Sequence, residues 1–104
     1  MDWNSLAWLK EQTKLPIVLK GIQCWEDAVM AGIYLIFLFL ANYGIEHIWV
    51  SNHGGRQLSD VRSTIEILPE VVESLKGRGV KVYVDGGVRY GSDILKCIAL
   101  GKKK

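Results

Sequence analysis

At 104 residues the chain is one small domain at most, and 49% hydrophobic with 23% charged residues is enough for a packed core, which excludes a disordered or collagen-like chain. Thirteen basic against eleven acidic residues give a net charge of +2. Without the terminal Lys102, Lys103 and Lys104 the balance is ten against eleven, or −1, so the clustered basic face that nucleic acid requires is missing.

Taken in chain order, Ser5 to Gln12 predicts a short helix with Leu6 and Leu9 on one face. LPIVLK (15–20), apolar and β-branched up to a terminal Lys20, predicts a buried strand. Residues 28–45 then carry no charge for 18 positions, the lower limit for a membrane-spanning helix. Gly32 and Gly44 interrupt the run and no Lys or Arg cluster flanks it, so a helix buried against a sheet, or an apolar insertion near 32–41, is favoured over a span. HIWVS (47–51) predicts a second strand. Ile65, Leu68, Val72 and Leu75 predict a helix that stops at Gly77 and kinks or starts at Pro69, because proline lacks the N–H and clashes with the preceding turn. VKVYVD (80–85) predicts a third strand, and Ser92 is the expected N-cap of a last helix carrying Ile94, Leu95 and Ile98.

Helices alternating with strands predict βαβ crossovers and a parallel sheet, so the fold class is α/β. Lys20 to Ser51 spans 31 residues and Ser51 to Asp85 spans 34, each close to one βα unit. About three units are present, whereas a full eight-stranded barrel needs about 250 residues. Cys24 and Cys97, far apart in apolar or helical stretches, read as buried thiols in a reducing compartment. The first twelve residues carry no secretory signal pattern.

In parallel α/β folds ligands gather at the C-terminal ends of the strands. Those ends carry Lys20, then Ser51 to Arg56, then Asp85 to Arg89. Gly86 and Gly87 let backbone N–H groups approach an anion, Val88 comes next, and Arg89 offers a bidentate fork beside a helix start, which together suit a phosphate. The plainer reading is a turn with a surface arginine. Asp85 suits sugar-like hydroxyls or a neighbouring cation. His53 and Arg56 place a base three residues from a carboxylate anchor, against the plainer reading of a histidine that only satisfies backbone groups. Lys20 either stabilises negative charge on a cofactor or substrate, or extends to solvent at the sheet edge. His47 has no partner in view, Trp3, Trp8, Trp25, Trp49, Tyr83 and Tyr90 read as packing residues, and no metal-ligand spacing occurs.

LPIVLKG (15–21), SNHGGRQL (51–58) and VDGGVRYGSDILKCIALG (84–101) closely resemble the FMN-dependent 2-hydroxy-acid oxidases and dehydrogenases. The resemblance implies a partial (β/α)8 TIM barrel, its fifth to seventh strands, with FMN as cofactor and a small 2-hydroxy acid as substrate. By that likeness His53 removes the substrate's α-proton, or its hydroxyl proton in a hydride-transfer version, and Arg56 holds the substrate carboxylate. Lys20 and Ser51 contact the flavin, and Asp85, Gly86, Gly87, Val88 and Arg89 line its ribityl and phosphate end. Complete members are homo-oligomers of peroxisomes, mitochondria and bacteria. Ser59 stands where the family has Asp, about ten residues near 32–41 are extra, and the segments that complete the site lie outside this chain, so no activity is expected of it alone. The alternatives are a membrane-associated non-catalytic fragment and another FMN- or phosphate-binding barrel.

Overall fold

The computed structural model describes residues 2–31 and 46–101. These form, in chain order, helix α1 (Ser5–Gln12), strand β1 (Val18–Ile22), helix α2 (residues 25–31), strand β2 (His47–Val50), a 3-10 turn (His53–Gly55), helix α3 (Thr64–Ser74), strand β3 (Lys81–Val84) and helix α4 (Gly91–Gly101). The strands form one parallel sheet in the order β1-β2-β3. The alternating α/β order is the one expected. The extra residues near 32–41, and most of the uncharged run 28–45, lie outside the described residues. Among the described residues no helix is long and apolar enough to cross a membrane.

Pleating divides the sheet into two faces. Ile48 and Val50 of β2 are fully buried and meet Ile67, Leu68 and Val71 of α3 in the core, joined by Leu6 of α1 and Ala28 and Ala31 of α2. Burying a side chain of the size of Ile48 contributes about 1.5–3 kcal/mol, which makes this face the main source of stability. The opposite face carries Lys20, Trp49 and Tyr83 in one register row.

Three details differ from expectation. β1 starts at Val18 and continues past Lys20 to Ile22, so Lys20 is inside the strand rather than at its end. The ladder shifts register between Lys20 and Ile22, at Gly21 with φ 102°. This bulge turns Ile22 onto the buried face while Lys20 stays on the open one, a conformation for which glycine suits best. α3 begins at Thr64 and runs through Pro69 without a break. Proline forgoes one N–H bond there, and burial of Ile67, Leu68, Val71 and Leu75 outweighs it. α4 begins at Gly91, and the carboxylate of Asp93, not Ser92, accepts from the N–H groups of Arg89 and Tyr90 at 3.0 Å each. That is the reach-back half of a capping box.

The aromatic residues and thiols also divide. Trp3 packs on the core, whereas Trp8, Trp25 and Tyr90 are exposed. Cys24 and Cys97 are free and only half-buried. Partial burial still pushes the Cys24 thiol up.

Candidate active site

Parallel strands deliver their C-terminal ends to one edge of the sheet, and the charged residues meet there. Asp85 comes directly after β3, and its N–H bonds to the carbonyl of Val50 at 3.3 Å. Lys20 Nζ lies 3.1 Å from Asp85 Oδ2, so the anionic partner that a strand-borne lysine needs is Asp85. The same ammonium sits 4.8 Å above the ring of Trp49, a cation–π contact across the neighbouring strand. Burial pushes the Asp85 carboxyl up, but the Ser51 hydroxyl, the Lys20 ammonium and His53 pull it further down, leaving it below the ordinary carboxylate value. Its other oxygen, Oδ1, is buried and has no hydrogen-bond partner among the described residues. A carboxylate oxygen in that state calls for a donor.

Ser51 comes directly after β2 and is buried, and its Oγ accepts from the N–H of His53 at 3.1 Å. His53 opens the 3-10 turn at φ 55°, an uncommon conformation for a side-chain-bearing residue. Asn52 closes that turn: its Oδ1 accepts from the N–H of Gly55 at 3.2 Å and its Nδ2 donates to the carbonyl of Arg62 at 3.3 Å. Arg56 comes next, with its N–H on the carbonyl of His53 at 3.4 Å and its side chain exposed.

Beyond Asp85 the chain turns through Gly86 (φ 94°) and Gly87 (φ 72°). A Cβ on Gly87 would meet nothing within 4 Å, so the backbone there is open to a ligand. The turn borders a cleft of about 460 Å³ lined by Asn52, Gly55, Thr64, Gly86, Gly87 and Val88. Arg89 is exposed at the far end of the turn. Lys20, Ser51, His53 and Asp85 are therefore brought together, while Arg56 is tied to the group through its backbone N–H on His53, and its side chain, like those of Val88 and Arg89, is exposed.

His47 has a partner after all: its Nδ1 lies 3.0 Å from the hydroxyl of Tyr83, on the open face. The rings of Trp49 and Tyr83 lie 5.9 Å apart in a tilted arrangement, while the indole N–H of Trp49 is buried without a partner among the described residues. No cluster able to hold a metal occurs among the described residues. Residue patterns missed Asn52 and Thr64. An Asn before a His-Gly-Gly loop is a turn signal for the first, whereas nothing in the sequence marks the second.

The profile of the FMN-dependent dehydrogenase family matches residues 1–103. The chain is 47% identical over 103 residues to 2-hydroxyacid oxidase 1 of Mus musculus, covering 99% of this chain and 25% of that protein. It is 43% identical over 107 residues to L-lactate dehydrogenase (cytochrome) of Wickerhamomyces anomalus, covering 99% and 17%. The crystal structure of mandelate oxidase superimposes with a TM-score of 0.80 at 44% identity, over 97% of this chain and 26% of that one. The chain thus spans about a quarter of the length of the 2-hydroxyacid oxidases it matches. With a profile covering nearly every residue and relatives near half identity, the chain belongs to the FMN-dependent dehydrogenase family.

Proposed function

We propose that these residues form part of the site at which a small 2-hydroxy acid is oxidised to the 2-oxo acid with FMN, on three consecutive βα units of a (β/α)8 barrel. The observation that carries the reading is the Asp85 cluster: a lowered carboxylate with one oxygen on Lys20 and the other buried and unpartnered among the described residues. These residues fit a flavin nucleotide. Hydroxyls of a ribityl chain would donate to the accessible part of the Asp85 carboxylate, the Gly86–Gly87 backbone is open enough for close approach, Val88 lines the same wall, and Arg89 supplies a fork for phosphate. Lys20 and Ser51, both against Asp85, would contact the flavin.

When bound, FMN supplies the acceptor for the two electrons that leave the substrate. His53 takes the proton, at the α-carbon or at the hydroxyl, on an imidazole nitrogen acting as general base. Its turn is held by Ser51 and Asn52, which fixes the direction in which the ring leaves the backbone. Arg56 grips the substrate carboxylate in a planar two-bond contact. Lys20 offsets negative charge beside the ring system.

The test has two parts. The chain, titrated into FMN, is expected to quench flavin fluorescence saturably, with Asp85→Ala weakening the affinity; no quenching by the wild-type chain would overturn the reading. With glycolate or lactate the chain alone is expected to show no turnover, since it spans only about a quarter of its catalytic relatives. A steady-state rate above a His53→Ala control would overturn that part.

A further inference from the structure

We propose that Thr64 is a positioning residue for the flavin end of the site: its hydroxyl holds the Asp85–Gly87 turn in the shape that presents the Asp85 carboxylate and the glycine backbone. The inference rests on the FMN reading above. Thr64 is the first residue of α3 and is only 3% exposed. Its Oγ1 donates to the carbonyl of Asp85 at 2.5 Å, across 21 residues of sequence. The N–H of Asp85 is already held by the carbonyl of Val50, and its carboxylate by Lys20. The Thr64 bond is therefore the one that fixes the direction in which the chain leaves Asp85.

Immediately after that carbonyl stands Gly86 at φ 94°, and a Cβ there would lie 3.1 Å from Thr64 Oγ1 and 3.7 Å from Asn52 Oδ1. The turn is thus seated directly against the hydroxyl. Asn52 in turn bonds to the carbonyl of Arg62, two residues before Thr64. One support, the start of α3, therefore carries both the turn of His53 and the turn of Asp85. Thr64 is not spent on capping its own helix, and the N-cap Ser63 makes no side-chain capping bond either. Its hydroxyl serves the loop.

A buried threonine that merely satisfies its hydroxyl would act on the fold as a whole. A positioning threonine acts on two amides and on the ligand they meet. The experiment compares the full chain with Thr64→Val and Thr64→Ser, by FMN titration and by amide NMR of Gly86 and Gly87 against core amides such as Ile48 and Val71. Thr64→Val is expected to weaken FMN about tenfold, the scale of one lost hydrogen bond in a site. It should shift the Gly86 and Gly87 amides and leave the core amides in place, while Thr64→Ser restores both. Unchanged glycine amides in Thr64→Val would overturn the proposal, as would failure of the serine variant to rescue them. Loss of the fold, or core amides moving with the glycines, would overturn it too, since the hydroxyl would then be structural. If the wild-type chain binds no FMN, the functional reading fails alone and the amide arm still decides the role of Thr64.

Discussion

His53 and Gly86 show how backbone conformation divides the labour at single residues. His53 holds φ 55°, where an L side chain costs about 1–2 kcal/mol relative to glycine, and nothing in the core requires a side chain there. His53→Gly is therefore expected to raise stability by about 1 kcal/mol while deleting the proposed base. Gly86 is the reverse: at φ 94°, with Thr64 Oγ1 where a Cβ would come to 3.1 Å, Gly86→Ala is expected to lower stability by about 1 kcal/mol or more. Urea unfolding of the two variants checks both signs, and a destabilised His53→Gly would show that the imidazole supports the turn instead of straining it. At this scale the sequence was informative where a residue's chemistry is local. That Ser51, His53 and Asp85 follow strand ends was readable from local pattern, whereas Thr64 bonds to a carbonyl 21 positions away and has no local mark.

Two helices test how far rules of local structure hold against packing. Pro69 lies within α3, exposed, where a helix interior loses about 3 kcal/mol to proline. The helix persists because its other side is buried against β2 and β3, so Pro69→Ala is expected to stabilise the chain by about 1–3 kcal/mol, less whatever the proline saves by stiffening the unfolded chain. A shift of the urea midpoint in the other direction would mean that Pro69 is accommodated without loss. The start of α4 depends on charge instead. The N–H groups of Arg89 and Tyr90 hold the Asp93 carboxyl below its ordinary value, so its contribution is fully present above the unfolded carboxylate value. That contribution is lost as pH falls through the lowered folded value. The protection factors of the first-turn amides of α4, their exchange rates taken relative to the intrinsic rate at each pH, are therefore expected to fall on acidification, and Asp93→Asn should remove that pH dependence; an unchanged profile in the variant would exclude Asp93 as its source. Element type and order were legible because strands here are β-branched runs and helices keep an apolar stripe. The boundaries of β1, α3 and α4 were not, because a bulge at Gly21, packing around Pro69 and a cap supplied from inside the helix each override a local signal.

Across the whole molecule, apolar surface is distributed unevenly. The core under α3 is closed, yet α4 has no fully buried residue, and Leu95 (69% exposed) and Ile98 (51%) lie open on it. Beside α4 a groove of about 470 Å³, lined by Leu68, Val72, Val82, Val84 and Ile98, runs between α3 and β3. β3 has one neighbouring strand among the described residues, so its other edge offers unpaired backbone groups next to that groove. The parallel order was legible from sequence. This imbalance was not, because an apolar stripe of helical period states that a face will be buried without stating by what. Contiguous exposed apolar surface beside an open strand edge favours association. The chain is expected to bind a hydrophobic dye and to show a weight-average mass that rises with concentration in sedimentation. Leu95→Glu with Ile98→Glu should return it toward the monomer, and since both side chains are half-exposed or more, the change in unfolding free energy should stay within about 1 kcal/mol. A wild-type chain that stays monomeric and dark to the dye at the same concentrations would exclude this face as an association surface.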